Sequence, residues 1–414
     1  MNPRTNSASQ THPAATGAVT GGQYSLFRVL FGAYLAVHFW QLTPYAAELF
    51  SFAGMLPDGP LSPLFAVAPG LLRLSDAPWI AVLLVASGVP AAVAFAAGRW
   101  DRLMAGWMLL VLISVFTRNP LIANPAMPYV GFMLLTHLAV PRAPYGSLEA
   151  LGRADPAGGW HLPRAVFTAG VVVLAVSYSY SGLTKLWSET WVAGDTIRLV
   201  LQNPLARDWV LRDVFLAAPE ALLQVLTWFV LYVELLFAPL YLIKRLRPWL
   251  WGAMLAVQLG FLLLLRFPDL TLPMLLFHLF TFDPRWVARR QASARLRYDG
   301  ECGVCHLAVR FAIAETATDL TFRPMQADGV DVTQVATWEI VEGERTYIKT
   351  DAFVRLLQYS GGLWGVAAAV LYAVPRALRD GAYDALARVR RRLAPRPPEL
   401  CPLVSPELRR RFAE

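Results

Sequence analysis

The sequence predicts a multi-pass α-helical membrane protein of about eight spans that ends in a small α/β domain. Three observations carry that expectation. Of 414 residues, 56% are hydrophobic, and the mean hydropathy of +0.44 lies far above that of an ordinary soluble chain, so the excess apolar surface is expected to face lipid. The apolar residues fall in runs long enough to cross a bilayer, which needs about 20 residues per helix. After Phe282-Asp283-Pro284 these runs shorten and charge rises, which marks a boundary between two kinds of domain.

Residues 1–23 are rich in Ser, Thr, Ala and Gly with Arg4 as their one charge; such a segment buries too little apolar area to order itself, and a disordered amino-terminal tail is expected. The run from Tyr24 to Thr43 is too long, and too poor in small residues at its end, for a cleaved signal peptide. Further spans are expected at Pro78–Ala97, Leu103–Thr117, Met127–Val140, Val166–Leu183, Ala221–Ile243, Trp249–Leu265 and Leu270–Phe282. The proline-interrupted segment Leu61–Leu74 reads as a re-entrant or interfacial piece.

The net charge is +8, and the basic residues cluster beside the spans. Counted over the connections, fourteen Lys and Arg lie on the amino-terminal side and seven on the other. The basic side is ordinarily cytoplasmic, and an even number of spans then puts both the amino terminus and the last domain there. No stretch interleaves aromatics with bases as a nucleic-acid groove requires, so the expected partner is the bilayer and not a nucleic acid. Three cysteines are too few for a secreted disulfide scaffold.

Ionisable residues at membrane depth are expensive and therefore functional candidates. They are Arg28, His38, His137, Glu234 and His278, with Lys185 at the end of the fifth span. An ionised Glu234 needs a cation, for which Arg28 and Arg118 are available. Gly182, in the stretch Tyr178 to Trp187, permits close helix contact. A lysine at an interface ordinarily extends its ammonium to water, whereas a desolvated one can act as a base.

A linker, 284–294, leads to the domain of residues 295–414, where strands are expected at Leu320–Arg323, Thr337–Val341 and Thr346–Lys349. Its centre is Arg297-Tyr-Asp-Gly-Glu-Cys302-Gly-Val-Cys305-His306. Leu296–Tyr298 reads as a strand end, Asp299-Gly300 as a turn and Leu307–Ala314 as the start of a helix, a thioredoxin-like arrangement. Thiols at a helix start are stabilised as thiolates below their free pKa of about 8.5, so Cys302 would attack, Cys305 resolve, and Asp299 hold the turn or assist proton movement. Two other chemistries use this spacing. A tetrahedral zinc site needs a second Cys or His pair, and the sequence offers none, so no metal is expected. Cys-x-x-Cys-His also attaches c-type haem, which a cytoplasmic location disfavours. An inert pair remains the plain alternative.

Residues Tyr298 to Cys305 match the Tyr-Asp-Gly-x-Cys-x-x-Cys signature of the DCC family of thiol-disulfide oxidoreductases throughout. Phe322-Arg-Pro-Met-Gln326, the turn at Glu342-Gly343-Glu344, Thr350-Asp-Ala352, Pro375, Tyr383–Arg388 and Cys401 continue the resemblance, which implies a redox-active disulfide. Residues 24–283 resemble the HTTM domain, the transmembrane domain of vitamin K-dependent γ-carboxylases and their bacterial relatives, through Leu26–Gly32, Arg118–Asn124, and Tyr178–Lys185 with Trp191 and Gly194. That resemblance implies a bacterial inner-membrane location and a quinone cofactor, with Lys185 as the base and Arg28, His38, Tyr180, Glu234 and His278 around the quinone. Thr184 and Pro125-Ala126-Met127 depart from the family pattern. The fusion implies coupled redox chemistry with a thioredoxin-like protein or a quinone as partner. The alternative is a non-enzymatic membrane protein that binds or moves a lipid or hydrophobic peptide.

Overall fold

The computed structural model describes residues 17–56, 62, 65, 70–75, 77–317, 319–331, 337–393 and 404–412. Half of Leu61–Leu74, and Cys401, lie outside them. The chain divides into two compact units. One holds 27–140 and 163–281, the other 1–26, 141–162 and 282–414.

Among the described residues the first unit is built of helices, with one isolated bridge between Ala206 and Leu265. Its elements are α1 (Gly21–Leu42, which begins in the other unit), α2 (Ala46–Phe50), α3 (Pro78–Ala97), α4 (Asp101–Arg118), α5 (Met127–His137), α6 (Arg164–Lys185), α7 (Glu189–Ala193), α8 (Thr196–Gln202), α9 (Val210–Leu216), α10 (Glu220–Leu235), α11 (Phe237–Tyr241), α12 (Arg247–Leu264) and α13 (Pro268–Phe280). Proline at the first turn of α3, α12 and α13 starts a helix without losing a hydrogen bond. Where α6 crosses α10, a Cβ at Gly182 would lie 2.2 Å from the Leu235 nitrogen, so only glycine lets the two backbones approach this closely.

Among the described residues three helices, α3, α6 and α12, are long and apolar enough to cross a membrane, or four if α9 and α10, bent by 105°, are one span. The expected eight are thus not shown. The difference has a physical origin. α1 carries Gln23, Arg28, His38 and Gln41, α4 carries Asp101, Arg102 and Arg118, and α5 and α13 have only 11 and 13 residues. Helices whose polar side chains are paired inside a bundle need not be uniformly apolar to be stable.

The second unit contains a four-stranded sheet in the order β2-β1-β3-β4, built from β1 (Ala294–Tyr298), β2 (Leu320–Pro324), β3 (Glu339–Glu342) and β4 (Arg345–Ile348). These strands fall where the sequence places them to within two residues. β1 and β2 are parallel, Leu296 opposite Phe322 and Tyr298 opposite Pro324; β3 runs antiparallel to both β1 and β4. Parallel neighbours need a crossover, here α14 (Gly303–Glu315). Leu296, Tyr298, Leu320, Phe322 and Ile340 are completely buried, as the period-two alternation of a strand dictates. They join Cys302, Val309, Ile313, Leu356 and Tyr359 in one core.

Around this sheet lie α15 (Lys349–Ser360), α16 (Gly362–Ala373), α17 (Arg376–Leu393) and the short α18 (Pro406–Arg409). The break between α15 and α16 is made by Gly361 and Gly362, both at positive φ, where an L side chain would be strained. The end of the chain extends the sheet edge: Phe322 donates its amide to Arg411 O at 2.8 Å, and the rings of Phe322 and Phe412 lie 5.3 Å apart. The last residues of the expected tail join this unit as well, since Thr20 bridges His161 and α1 begins at Gly21.

Candidate functional site

β1 delivers the chain to a tight turn, Asp299–Cys302, and α14 starts immediately behind it. Cys302 stands as the residue capping α14, in extended conformation, and its amide donates to Asp299 O at 3.2 Å. Cys305 follows in the first helical turn. Neither is joined in a disulfide. The amide hydrogens of a helix start have no partners within the helix, so the electrostatic setting expected from the sequence is present. Burial works the other way: Cys302 has no exposed surface and Cys305 only 7%, and both belong to the apolar core of the domain.

The turn is held from two directions. Asp299 Oδ1 accepts the Glu301 amide at 3.0 Å and the Gln326 Nε2 amide at 3.1 Å, while Gln326 Oε1 accepts the Gly300 amide at 3.0 Å. Of the two roles expected for Asp299, these contacts are those of a turn-holder. Gln326 sits in the short turn after β2, the strand paired with β1, so the sheet register itself brings its side chain under the thiol loop. The same turn is anchored by Asp328, which Arg323 and Arg297 hold below the usual carboxylate range by hydrogen bonds and charge.

His306 bears on the haem reading. Its Nε2 lies 2.9 Å from Gly300 O, and a carbonyl only accepts, so Nε2 carries the proton. The ring is buried and meets Tyr298 edge-on at 5.9 Å. The nitrogen that would bind iron is engaged, and the sulfurs that would form thioethers are packed in the core. Among the described residues no group of three or more His, Cys, Asp or Glu side chains is placed to hold a metal ion.

The remaining candidates are in the helical unit. Lys185 and Glu234, from different helices, form an ion pair. Lys185 also donates to Ser181 Oγ at 2.7 Å and lies 4.9 Å from the centre of the Trp191 ring. The cation for Glu234 is therefore Lys185, and neither arginine named for that role. Arg28 donates to Ala96 O at 3.4 Å, and Arg118 donates to Ser51 O at 2.8 Å and lies over the Phe52 ring. His278 is buried, with Nδ1 2.9 Å from Met274 O and Nε2 3.5 Å from Tyr178 Oη, which Gln258 also reaches at 3.2 Å. His38 is held elsewhere: its Nδ1 lies 3.0 Å from Asp269, which also accepts from Tyr34 at 3.0 Å. Tyr180 is 65% exposed. Lys185 thus joins Glu234, whereas Arg28, His38 and Tyr180 are in other surroundings.

Sequence reasoning missed Asp269 and Glu315. Asp269 was hidden in a proline-started first turn. Glu315 ends α14, is completely buried, and accepts from Thr20 Oγ1, from the Gly22 amide at 2.8 Å and from Trp364 Nε1 at 2.6 Å. Burial raises its pKa against those hydrogen bonds and the charge of Arg289. An acidic residue closing an otherwise apolar helix was the available signal.

A Cys-x-x-Cys at the start of the helix that links two parallel strands, in a small α/β domain, defines the class: a domain built to make and break a disulfide. In agreement, residues 296–396 match the model of the DCC1-like thiol-disulfide oxidoreductase family. No curated protein and no solved structure matches the chain.

Proposed function

We propose that this protein is a membrane-anchored thiol-disulfide oxidoreductase whose helical unit is an HTTM-like, quinone-using domain. The observation that carries the first part is the placement of Cys302 and Cys305 at the start of α14, within the segment that matches the family. Cys302 thiolate attacks one sulfur of a substrate disulfide, the substrate S–S bond breaks, and the departing sulfur leaves as thiolate. Cys305 thiolate then attacks the mixed disulfide, the Cys302–Cys305 bond forms, and the substrate leaves reduced by two electrons. A thioredoxin-like dithiol or a quinol, itself oxidised, returns the pair to thiols. Because both sulfurs are covered, the loop opens before the first attack. α14 favours negative charge on Cys302 once it is uncovered.

The helical unit is assigned the quinone through the HTTM resemblance, with Lys185, Glu234 and His278 as the residues nearest that chemistry. The pairing of Lys185 with Glu234 makes the lysine a hydrogen-bond donor in the described state, so a base at Lys185 would first have to leave the carboxylate. The location that agrees with the charge count is a bacterial inner membrane, with the amino terminus and the dithiol domain in the cytoplasm and about eight crossings.

The decisive experiment is insulin-disulfide reduction by the purified full-length protein. Loss of activity in Cys302→Ser, with a trapped mixed disulfide in Cys305→Ser, is expected. Wild-type activity in Cys302→Ser rejects the attacking role and favours a membrane lipid- or peptide-binding protein with inert thiols.

A further inference from the structure

Helix α17 is strongly amphipathic, and an amphipathic helix on a globular domain ordinarily turns its apolar stripe to the core. Here the orientation is reversed. Leu378, Ala382, Ala385, Leu386 and Val389, at the spacing of one helical face, are all exposed, Leu378 by 67%. The opposite face points inward: Arg379 is buried, and Asp380, Tyr383, Asp384 and Ala387 are half-buried.

The inward face is polar because it is paired. Asp384 meets Lys349 at 2.8 Å, Arg379 meets Asp351 at 2.7 Å, Asp380 accepts from Thr350, and Tyr383 lies 3.2 Å from Thr337. Helix α16 repeats the arrangement. Its Ala368, with Trp364, Ala367 and Leu371, packs on Val354 and Leu357, while Val366, Ala369, Val370 and Ala373 form an exposed stripe, Val370 by 64%. Tyr372 and Val374, leading into α17, are also exposed.

Charge is sorted along the same face. The two acids of α17 are turned inward and neutralised, whereas Arg388 is exposed by the end of the stripe, and Arg390, Arg391 and Arg392 follow on the same helix. An exposed apolar face of this length on a soluble surface marks an interaction site, and its combination with the exposed Arg388 and the further arginines in the sequence behind it is the pattern of a helix lying in the headgroup layer of an anionic membrane. We infer that the outward faces of α16 and α17 form a docking surface for an anionic lipid bilayer, with Val366, Val370, Leu378 and Leu386 entering the acyl boundary and the arginines from Arg388 onward on phosphate. The dithiol domain would then be held on the membrane by its own surface as well as by its tether.

The test is site-specific photo-crosslinking in the full-length protein, with p-benzoylphenylalanine at Val370, at Leu386 and, as a control, at Glu344 on the β3–β4 turn. The protein is reconstituted in phosphatidylcholine alone or with phosphatidylglycerol. Lipid adducts at Val370 and Leu386, several-fold more abundant with phosphatidylglycerol and absent at Glu344, are expected. Arg388→Gln should lower the yield at Leu386 about five-fold, the value of about 1 kcal/mol per basic residue at an anionic surface. Crosslinks to a second copy, adducts independent of phosphatidylglycerol, or equal adducts at Glu344 overturn the inference. Unchanged circular dichroism shows that each variant is folded, and the readout is the same in a Cys302→Ser background, so it stands apart from the dithiol chemistry.

Discussion

Gln326 is the residue through which the sheet reaches the thiols. Its side-chain amide bonds both to Gly300 and to Asp299, and each such bond contributes about 1 kcal/mol. Gln326→Ala should therefore loosen the turn by about 1–2 kcal/mol, seen as a lower unfolding midpoint of the domain and faster alkylation of Cys302 and Cys305; an alkylation rate equal to wild type would show that the turn is held without it. Glu315 makes a prediction in pH. Its folded pKa is raised by burial, so the folded state binds its proton more tightly than the unfolded chain. The stability it contributes is complete below the ordinary carboxylate pKa and is lost as pH rises through the elevated folded value. Glu315→Gln, which has no proton to lose, should flatten that part of the stability profile. A thermal-unfolding series from acid to neutral pH in both proteins checks it, and parallel profiles would remove Glu315 as the cause.

At the scale of elements, the α6–α10 crossing concentrates the polar chemistry of the helical unit. Gly182 allows the approach, and the Lys185–Glu234 pair lies just beyond it on the same two helices. A methyl at position 182 meets the backbone of Leu235 rather than a yielding side chain, so Gly182→Ala should cost about 1–3 kcal/mol. It should also weaken the Lys185–Glu234 contact, which thermal unfolding in detergent and the chemical reactivity of Lys185 together report. The α14–β2 connection teaches the complementary lesson. The thiol loop, the helix and the strand that follows it were all legible from Tyr298 to Pro324, though not that this strand pairs parallel to β1, because turn residues, apolar periodicity and cysteine spacing are local signals. The role of Gln326 was not, because it depends on which strand lies beside β1.

For the whole molecule, the topology assigned from charge predicts that cysteine reagents confined to the cytoplasm label the protein in cells, after loop opening, whereas reagents confined to the periplasm do not. Labelling from the periplasm alone would reverse the assignment.

The amino-acid sequence by itself determined that two unlike units share the chain, that the second is a small α/β domain, and that its dithiol begins a helix, because hydropathy, strand alternation and thiol spacing are properties of neighbours along the backbone. Tertiary structure alone decided that Lys185 is the cation for Glu234, that Glu315 receives Thr20, Gly22 and Trp364, that both thiols are covered, and that α17 turns its apolar face outward. Each of these joins residues far apart in the chain, or chooses which of two faces a helix buries. Pairing energies and burial settle that choice only once the neighbouring elements are in place.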